Sequence, residues 1–196
     1  MSSLDFMNQP VIRLIDLTLS FFGLLLLWPV LLFVYVLGLF DTGSPIFIQE
    51  RVGRSRKSFL LIKFRTMSPE TESVATHMVT GSSVTKLGAV LRKTKLDELP
   101  QLINVLKGEM SLVGPRPCLF NQTELIAERD MRNVFDVVPG ITGLAQVNEI
   151  DMSTPKLLAE WDRRMIDTFT ISMYVQLILK TVTGKGSGDR VVDKNK

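Results

Sequence analysis

The stretch TKLDELPQLINVLKGEMSLVGPRP, residues 94–117, decides how the chain folds around its candidate chemistry. Apolar residues recur within it at helical spacing and predict a helix that buries one face. Pro100 predicts where this helix begins, because proline is tolerated in a first helical turn but costs roughly 3 kcal/mol in a helix interior. Asp97 is therefore predicted at or near the N-cap of the helix, with Glu98 directly after it.

Carboxylates and cations are concentrated in this stretch. A carboxylate at a helix N-terminus faces unpaired N–H groups and the positive end of the helix dipole, so Asp97 should stay ionised and phosphate should be attracted. Arg92 precedes Asp97 and Glu98, and Arg116 lies between two prolines that restrict where its guanidinium points. Together these groups indicate a phosphate substrate bridged by Mg²⁺. A simple helix cap and a solvated basic surface are the alternatives for each feature alone.

A β-hairpin is predicted upstream, where two short apolar runs at 45–49 and 58–62 flank a turn of Gly, Arg and Ser. It leads into Lys63 and Arg65. Residues two apart on a strand share a face, so these two cations are candidates to bind one anion together. Ordinary surface charge is the alternative.

The N-terminal region contains an uncharged run from Leu17 to Phe40. As a straight helix this run is long enough to cross a ~30 Å hydrocarbon core. Pro29 divides it into halves that are each too short, so a helix-break-helix hairpin that enters and leaves one leaflet is the alternative. Basic residues after the run place its C-terminal side in the cytoplasm. Taken alone, the residues favour the single span.

Composition restricts the class of protein further. Hydrophobic residues make up 45% of the 196 residues, which predicts one domain whose apolar surface meets lipid. A pI near 9.1 suits a membrane face or phosphate-rich substrates, and nothing indicates nucleic acid. A single cysteine, Cys118, excludes an internal disulfide and is expected to be buried and inert. A single histidine, His77, is expected in a loop and excludes a His-rich metal site, so a metal must bind oxygen ligands.

The remaining segments are predicted from their composition and periodicity. Residues 68–84 are polar and predict a mobile loop. A helix with a solvated charged face is predicted from Leu119 to about Phe135, followed by a tight turn at 139–143. From Pro155 to about Val182 the pattern is helical and suits either core packing or an amphipathic helix at an anionic membrane surface. The glycine-rich tail is predicted to be disordered.

Three motifs in order carry a resemblance to a known family. They are KFRTM at 63–67, LRKTKLDELPQLINVLKGEMSLVGPRP at 91–117 and PGITGLAQV at 139–147. From Arg13 to about Lys180 the chain resembles the bacterial sugar transferases of the small monotopic polyprenol-phosphate phosphoglycosyl transferase type. The resemblance implies an α+β, mainly helical fold with an N-terminal re-entrant membrane helix-break-helix, a small β-hairpin and amphipathic interfacial helices.

The same resemblance implies a reaction and a set of site residues. Such proteins move a phosphosugar from a UDP-sugar to polyprenol phosphate and need Mg²⁺. Asp97 would attack the β-phosphate and expel UMP, and Glu98 would hold the metal. The implied substrate-binding residues are Lys63, Arg65, Arg92, Arg116, Gly143 and Gln146.

The resemblance also reverses the topology that the residues favour, and implies a re-entrant hairpin with both ends in the cytoplasm. The break falls at Trp28 and Pro29, where the family usually has serine before the proline. We therefore expect an N-terminal membrane segment at 1–41, a catalytic domain at 42–183 and a flexible tail at 184–196. The expected location is the cytoplasmic face of the bacterial inner membrane, with a UDP-sugar, polyprenol phosphate and the lipid bilayer as partners. A homodimer stays open.

Two other functions fit parts of the sequence. A membrane-anchored hydrolase of nucleotide sugars would use Asp97 and Glu98 as acid and base. Adjacent residues suit this poorly, because glycosidase carboxyl groups flank the bond from roughly 5–9.5 Å apart. A non-enzymatic assembly factor would use the same residues as structural turns and would release no UMP.

Overall fold

The computed structural model describes Met7, residues 9–70, residues 83–184 and Gly186. Its helices are α1 (Pro10–Asp41), α2 (Lys86–Thr94), α3 (Gln101–Lys107), α4 (Thr123–Asp130), α5 (Leu144–Val147), α6 (Pro155–Asp167) and α7 (Ile171–Val182). Its strands are β1 (Ile46–Val52), β2 (Ser58–Phe64), β3 (Ser111–Val113) and β4 (Gly140–Thr142). The mainly helical α+β fold is thus confirmed. Most of the predicted loop at 68–84, with His77, and most of the tail lie outside the described residues.

The predicted hairpin is confirmed and extends beyond its expected ends. Strands β1 and β2 pair antiparallel, with Ile46 opposite Phe64 and Val52 opposite Ser58. Asn104 of α3 ties the helix to this hairpin, since its buried amide donates to the Leu60 carbonyl at 2.7 Å and accepts from the Ile62 amide at 3.1 Å. The hairpin therefore positions the helix that follows the candidate site.

A second sheet was not predicted. Strands β3 and β4 pair in parallel, with Ser111 opposite Gly140 and Val113 opposite Thr142. The segment at 139–143 is therefore partly a strand and not only a tight turn. Gly140 makes this pairing possible, because a β-carbon there would lie 2.0 Å from the Gly114 amide nitrogen. Only glycine allows the two backbones to approach so closely.

Helix α1 is continuous across Pro29, so the helical break expected at Trp28 and Pro29 is absent from the secondary structure. A proline removes one hydrogen bond and displaces one carbonyl, and a long helix absorbs this without ending. Helix α1 is also the one helix of the described residues that is long and apolar enough to cross a membrane by length and composition. Whether it enters and leaves one leaflet stays a prediction.

The first turns of α1 are bonded to the rest of the chain. The Arg13 guanidinium donates to the carbonyls of Val105 and Leu106 at 2.6 and 3.0 Å, near the C-terminus of α3. The buried Asp16 carboxylate accepts from the Leu112 amide at 2.9 Å. A cation at the C-terminus of a helix and a buried, bonded carboxylate fix the start of α1 on the domain.

The last turns of α1 contact the same domain. Val34 is buried in a cluster with Phe64 of β2 and Leu91 of α2. At the end of the helix, Asp41 accepts from the Thr85 hydroxyl at 2.7 Å. Both ends of the apolar helix are thus held by one folded body.

Two predicted helices have different bounds. The helix expected from Leu119 to Phe135 is the shorter α4, which ends at Asp130 before Asn133 adopts a left-handed conformation with φ of 54°. The helical pattern from Pro155 to Val182 is two helices. Thr170 begins the second, because its hydroxyl accepts from the Met173 amide at 3.1 Å and caps α7.

We predict that Tyr174→Phe destabilises the fold by about 1–3 kcal/mol, because it removes a donor from a buried carboxylate. Tyr174 is fully buried, and its hydroxyl donates to Asp16 at 2.7 Å. Denaturant unfolding of the variant and the wild type in the same detergent measures the change in the free energy of unfolding. The matched control is Tyr35→Phe, since Tyr35 is 41% exposed. Equal stability of the two variants would contradict the structural role of the Asp16 contact.

Candidate active site

The site begins where Lys95 ends helix α2. Lys95 adopts a left-handed conformation with φ of 59°, and its N–H donates back to the Arg92 and Leu91 carbonyls. This reverses the chain into a 3-10 turn, Leu96–Glu98, which leads through Pro100 into α3. Pro100, and not Asp97, is the N-cap of α3. Asp97 lies in a helical turn that starts earlier than predicted, because the left-handed Lys95 opens that turn upstream.

Both carboxylates of this turn are buried, with Asp97 8% and Glu98 7% exposed. The Arg116 guanidinium donates to Oε1 of Glu98 at 2.7 Å. Buried carboxylates must be paired or bind cations to stay charged. The predicted association of Arg116 with the Asp-Glu pair is therefore present, and it is a direct ion pair with Glu98.

The loop that carries Arg116 is fixed by its backbone. Each of four successive carbonyls, those of residues 115–118, accepts a hydrogen bond from a residue distant in sequence. The donors are, in order, the Gly140 amide (2.9 Å), the Arg129 guanidinium (2.8 Å), the Arg51 guanidinium (3.2 Å) and the Val52 amide (2.9 Å). The guanidinium of Arg116 thus projects from a rigid base.

One of these donors, Arg129, belongs to a buried ion pair. Its Nε and one terminal nitrogen bond to the same oxygen of Asp162 at 2.9 and 2.7 Å. The charged face of this helix was predicted to be solvated, and for Arg129 this is wrong, because only 1% of the residue is exposed. Arg132, just after the helix, pairs with Glu128 at 2.5 Å.

Cys118 follows the loop and is fully buried, as predicted. Burial raises the pKa of the Cys118 thiol, against the opposing effect of the nearby Arg129. A thiol with a raised pKa is a poor nucleophile near neutral pH.

The cations after the hairpin share a face, as predicted. The Lys63 ammonium and the Arg65 guanidinium lie 5.6 and 5.2 Å from the centre of the Phe47 ring. Arg92 bonds to the Thr66 hydroxyl at 2.9 Å and so ties α2 to the segment after β2. Strand β2 contacts the turn that carries Asp97. Direct binding of an anion by these three cations stays a prediction.

Gly143 and Gln146 lie beside the Arg116 loop. A β-carbon on Gly143 would lie 2.5 Å from the Gly114 carbonyl oxygen, so the position requires glycine for close approach. The Gln146 side chain donates to the Ile141 carbonyl at 2.9 Å. Its own oxygen is buried without a hydrogen-bond partner among the described residues. A buried acceptor of this kind is suited to a donor on a ligand or a bound water.

Lys95 was not among the candidate residues named from the sequence, although it lies in the same segment as Asp97 and Glu98. A β-carbon on Gly186 would lie 3.4 Å from the Lys95 ammonium nitrogen and 3.0 Å from the main-chain carbonyl oxygen of Gln146. Burial lowers the pKa of Lys95, while the Glu98 carboxylate opposes that shift. Its position two residues before Asp97 was the sequence signal available for Lys95. Its place near Gln146 and Gly186 depends on its left-handed backbone conformation.

The side chains available as ligands restrict how a metal ion would bind. No group of three or more His, Cys, Asp or Glu arranged for a metal is present in the part of the chain that the structure describes. Asp97 and Glu98 supply two adjacent carboxylates. Mg²⁺ is commonly held by one or two carboxylates together with waters and substrate phosphates. These residues therefore fit a metal bridged by substrate and not one enclosed by protein ligands.

Comparison with known proteins identifies the family. The model of the bacterial sugar transferase family matches residues 7–186, and the chain belongs to this family. It is 39% identical to an uncharacterized sugar transferase of Bacillus subtilis (strain 168), over 87% of this chain and 84% of the relative.

Two further relatives are longer than this chain. It is 32% identical to the undecaprenyl-phosphate galactose phosphotransferase of Salmonella typhimurium, over 86% of this chain and 39% of the relative. It is 34% identical to the UDP-N-acetylgalactosamine-undecaprenyl-phosphate N-acetylgalactosaminephosphotransferase of Aeromonas hydrophila, over 87% of this chain and 42% of the relative. The chain thus spans about two fifths of the length of these two proteins.

We predict that Arg129→Met lowers the free energy of unfolding by about 3–5 kcal/mol, because it leaves the Asp162 charge buried and unpaired. The double variant Arg129→Met, Asp162→Leu should recover much of that loss. The control is Arg132→Met, whose helical pair with Glu128 is worth about 0.3–0.5 kcal/mol. Denaturant unfolding measures all three, and a double variant no more stable than Arg129→Met would contradict the assignment.

Proposed function

We propose that the protein transfers a sugar 1-phosphate from a UDP-sugar to polyprenol phosphate, and so forms a polyprenyl-diphosphate-sugar and UMP. The observation that carries the proposal is the buried Asp97–Glu98 pair with Arg116 bonded to Glu98 at 2.7 Å. The names of the Salmonella and Aeromonas relatives support the donor and the lipid acceptor. The reaction would be a first membrane step of glycoconjugate synthesis.

The proposed chemistry has two displacements at one phosphorus. In the first, a carboxylate oxygen of Asp97 attacks the β-phosphorus, the new P–O bond forms, and the bond to the UMP oxygen breaks. In the second, a phosphate oxygen of the lipid attacks the same phosphorus and releases the Asp97 carboxylate. Covalent catalysis of this kind divides one difficult transfer into two easier steps.

Glu98 and Arg116 would control charge around Asp97. Arg116 holds one oxygen of Glu98, and the second oxygen of that carboxylate is suited to a Mg²⁺ ion. Bound there, Mg²⁺ would neutralise charge on the diphosphate. The ion pair itself holds the Glu98 carboxylate in a fixed orientation before substrate binds.

The other predicted residues would bind the donor. Arg92, Lys63 and Arg65 would hold phosphate oxygens, since guanidinium and ammonium groups make strong charge-assisted bonds to phosphate. Gly143 would keep the backbone close to the substrate. The unpaired oxygen of Gln146 would accept a hydrogen bond from a hydroxyl or amide of the donor.

We further propose that α1 enters and leaves a single leaflet at the cytoplasmic face of the inner membrane. A straight span would carry its two ends to opposite sides of a ~30 Å core. Arg13 and Asp16 near one end, and Val34 and Asp41 near the other, instead contact one domain. Trp28 is 58% exposed between them, as expected of a residue in contact with lipid.

Helix α7 supports the same placement. Its exposed residues include an apolar row at spacings of three and four: Ile171, Val175, Leu179 and Val182. Such a row suits an amphipathic helix that lies in a membrane interface. A site at this interface is accessible to both a soluble nucleotide sugar and a lipid phosphate.

The two alternatives make different predictions. A hydrolase would release sugar phosphate or UMP without any dependence on the lipid acceptor. An assembly factor would release no UMP from any donor. Transfer predicts UMP release that increases with undecaprenyl phosphate.

We predict that Asp97→Asn lowers UMP release at least 1,000-fold, on the order of the loss seen when a nucleophile is removed. The assay uses detergent-solubilised protein, Mg²⁺, undecaprenyl phosphate and a panel of UDP-sugars. The control is Asp167→Asn, which removes a 48% exposed carboxylate from a surface pair. Substantial turnover by folded Asp97→Asn would reject Asp97 as the nucleophile.

We predict that a cysteine introduced near the N-terminus, Ser3→Cys, reacts with a membrane-impermeant maleimide only after cells are opened. Native Cys118 is fully buried and gives little background. Lys156→Cys, on the exposed surface of α6, is the control for the cytoplasmic side. Labelling of Ser3→Cys in intact spheroplasts would contradict the re-entrant topology.

A further inference from the structure

Glu98 is one of the residues that line a cavity of about 320 Å³. The walls of the cavity are mostly aliphatic and come from α1, α3, the second sheet and α7, through Leu27, Leu102, Leu112, Ile141 and Ile178. Ligand pockets begin at about 300 Å³, so the cavity is large enough for part of a small molecule. Arg116 and the hairpin cations Lys63 and Arg65 are not among the described residues that line it.

The charged groups of the cavity come from one short segment of the chain. Lys95 and Glu98 both line the cavity, and the same segment carries Asp97. The threonine hydroxyls of the lining are bonded within the protein: those of Thr142 and Thr181 to each other at 2.6 Å, and that of Thr94 to the Val90 carbonyl at 2.9 Å. Apart from Lys95 and Glu98, the side chains of the lining are therefore apolar or already hydrogen-bonded.

We propose that this cavity receives the hydrocarbon next to the phosphate of the lipid acceptor, and that Lys95 binds that phosphate. The inference rests on the proposed function and says where the lipid phosphate would bind for the second displacement. An acceptor held there would present a phosphate oxygen to the phosphorus on Asp97. That oxygen forms the new bond as the Asp97 carboxylate leaves, and the Lys95 ammonium offsets the charge of the incoming phosphate.

Three features of the cavity favour this occupant. Leu27 belongs to the apolar helix α1, so one wall continues into the surface proposed to contact the bilayer. The Lys95 ammonium supplies a charge complementary to phosphate. A nucleotide would instead need hydrogen-bonding groups for its base and ribose, which the aliphatic walls lack. The chemistry is thus that of an apolar chain that ends in a phosphate.

The first test removes the positive charge of Lys95 from the cavity lining. Lys95→Gln should raise the KM for undecaprenyl phosphate at least tenfold in mixed micelles. The UMP burst from donor alone should change by a smaller factor than the acceptor KM, because donor attack at Asp97 precedes acceptor binding. Lys95→Arg should restore part of the affinity. The matched control is Lys93→Gln, an exposed lysine of the same helix, which should leave both values unchanged.

The second test fills the cavity without changing charge. Ile178→Trp should raise the same KM at least tenfold and preserve the UMP burst. The control is Gln176→Trp, which places the same indole on the exposed side of α7. Because the two variants act on different parts of the acceptor, poor folding of either one leaves the other as a full test.

The results of these tests distinguish failure of the proposed function from failure of the cavity assignment alone. A wild-type protein with no UMP burst and no lipid-dependent turnover would reject the proposed function itself. A normal burst with an unchanged acceptor KM in both variants would overturn the cavity assignment alone. A raised donor KM in Lys95→Gln would assign Lys95 to the donor. Inhibition of the wild type but not Lys95→Gln by phosphatidylglycerol would assign the cavity to membrane phospholipid. Either of these last two results would also overturn the inference.

Discussion

The ion pair between Arg116 and Glu98, 2.7 Å long, is the contact on which the rest of the site depends. It holds one of two adjacent buried carboxylates in a fixed orientation. The Arg116 loop can do this because four of its carbonyls are fixed in succession, two of them by the buried guanidinium groups of Arg51 and Arg129. The buried Arg129–Asp162 pair thus helps to fix the position of the Arg116 guanidinium.

Helix α1 is attached to the domain close to the candidate site. Arg13 bonds to the end of α3 and Asp16 bonds to β3, which follows it, so the apolar helix is attached to the elements that come directly after the candidate carboxylates. Leu27, farther along the helix, forms a wall of the cavity that Glu98 also lines. A lipid substrate would therefore meet the carboxylates without leaving the apolar phase completely. The proposed second displacement needs this proximity.

Local patterns predicted the hairpin and the helix after Pro100, because strand and helix periodicity need only neighbouring residues. The family resemblance, and not periodicity, supplied Gly143 and Gln146 and the roles expected of the site residues. Contacts distant in sequence could not be predicted in this way. Three-residue strands such as β3 and β4 show no periodicity, and a charged Arg129 on a helix looks solvated until its partner Asp162 is placed. The left-handed Lys95 carries no sequence signal, since that conformation is usually marked by glycine or asparagine. Pro29 does not end α1, because a proline can bend a helix without ending it, and the re-entrant bend at this position stays a prediction.

Trapping of the donor on Asp97 tests the central claim most directly. Protein incubated with its UDP-sugar and Mg²⁺, without lipid, would be digested and its peptides analysed by mass spectrometry. The account predicts one added sugar phosphate on the peptide that contains Asp97, which disappears when undecaprenyl phosphate is added. UMP release that requires the lipid, with no adduct on any peptide, would show direct transfer and contradict the account. An adduct on a different side chain would contradict it equally.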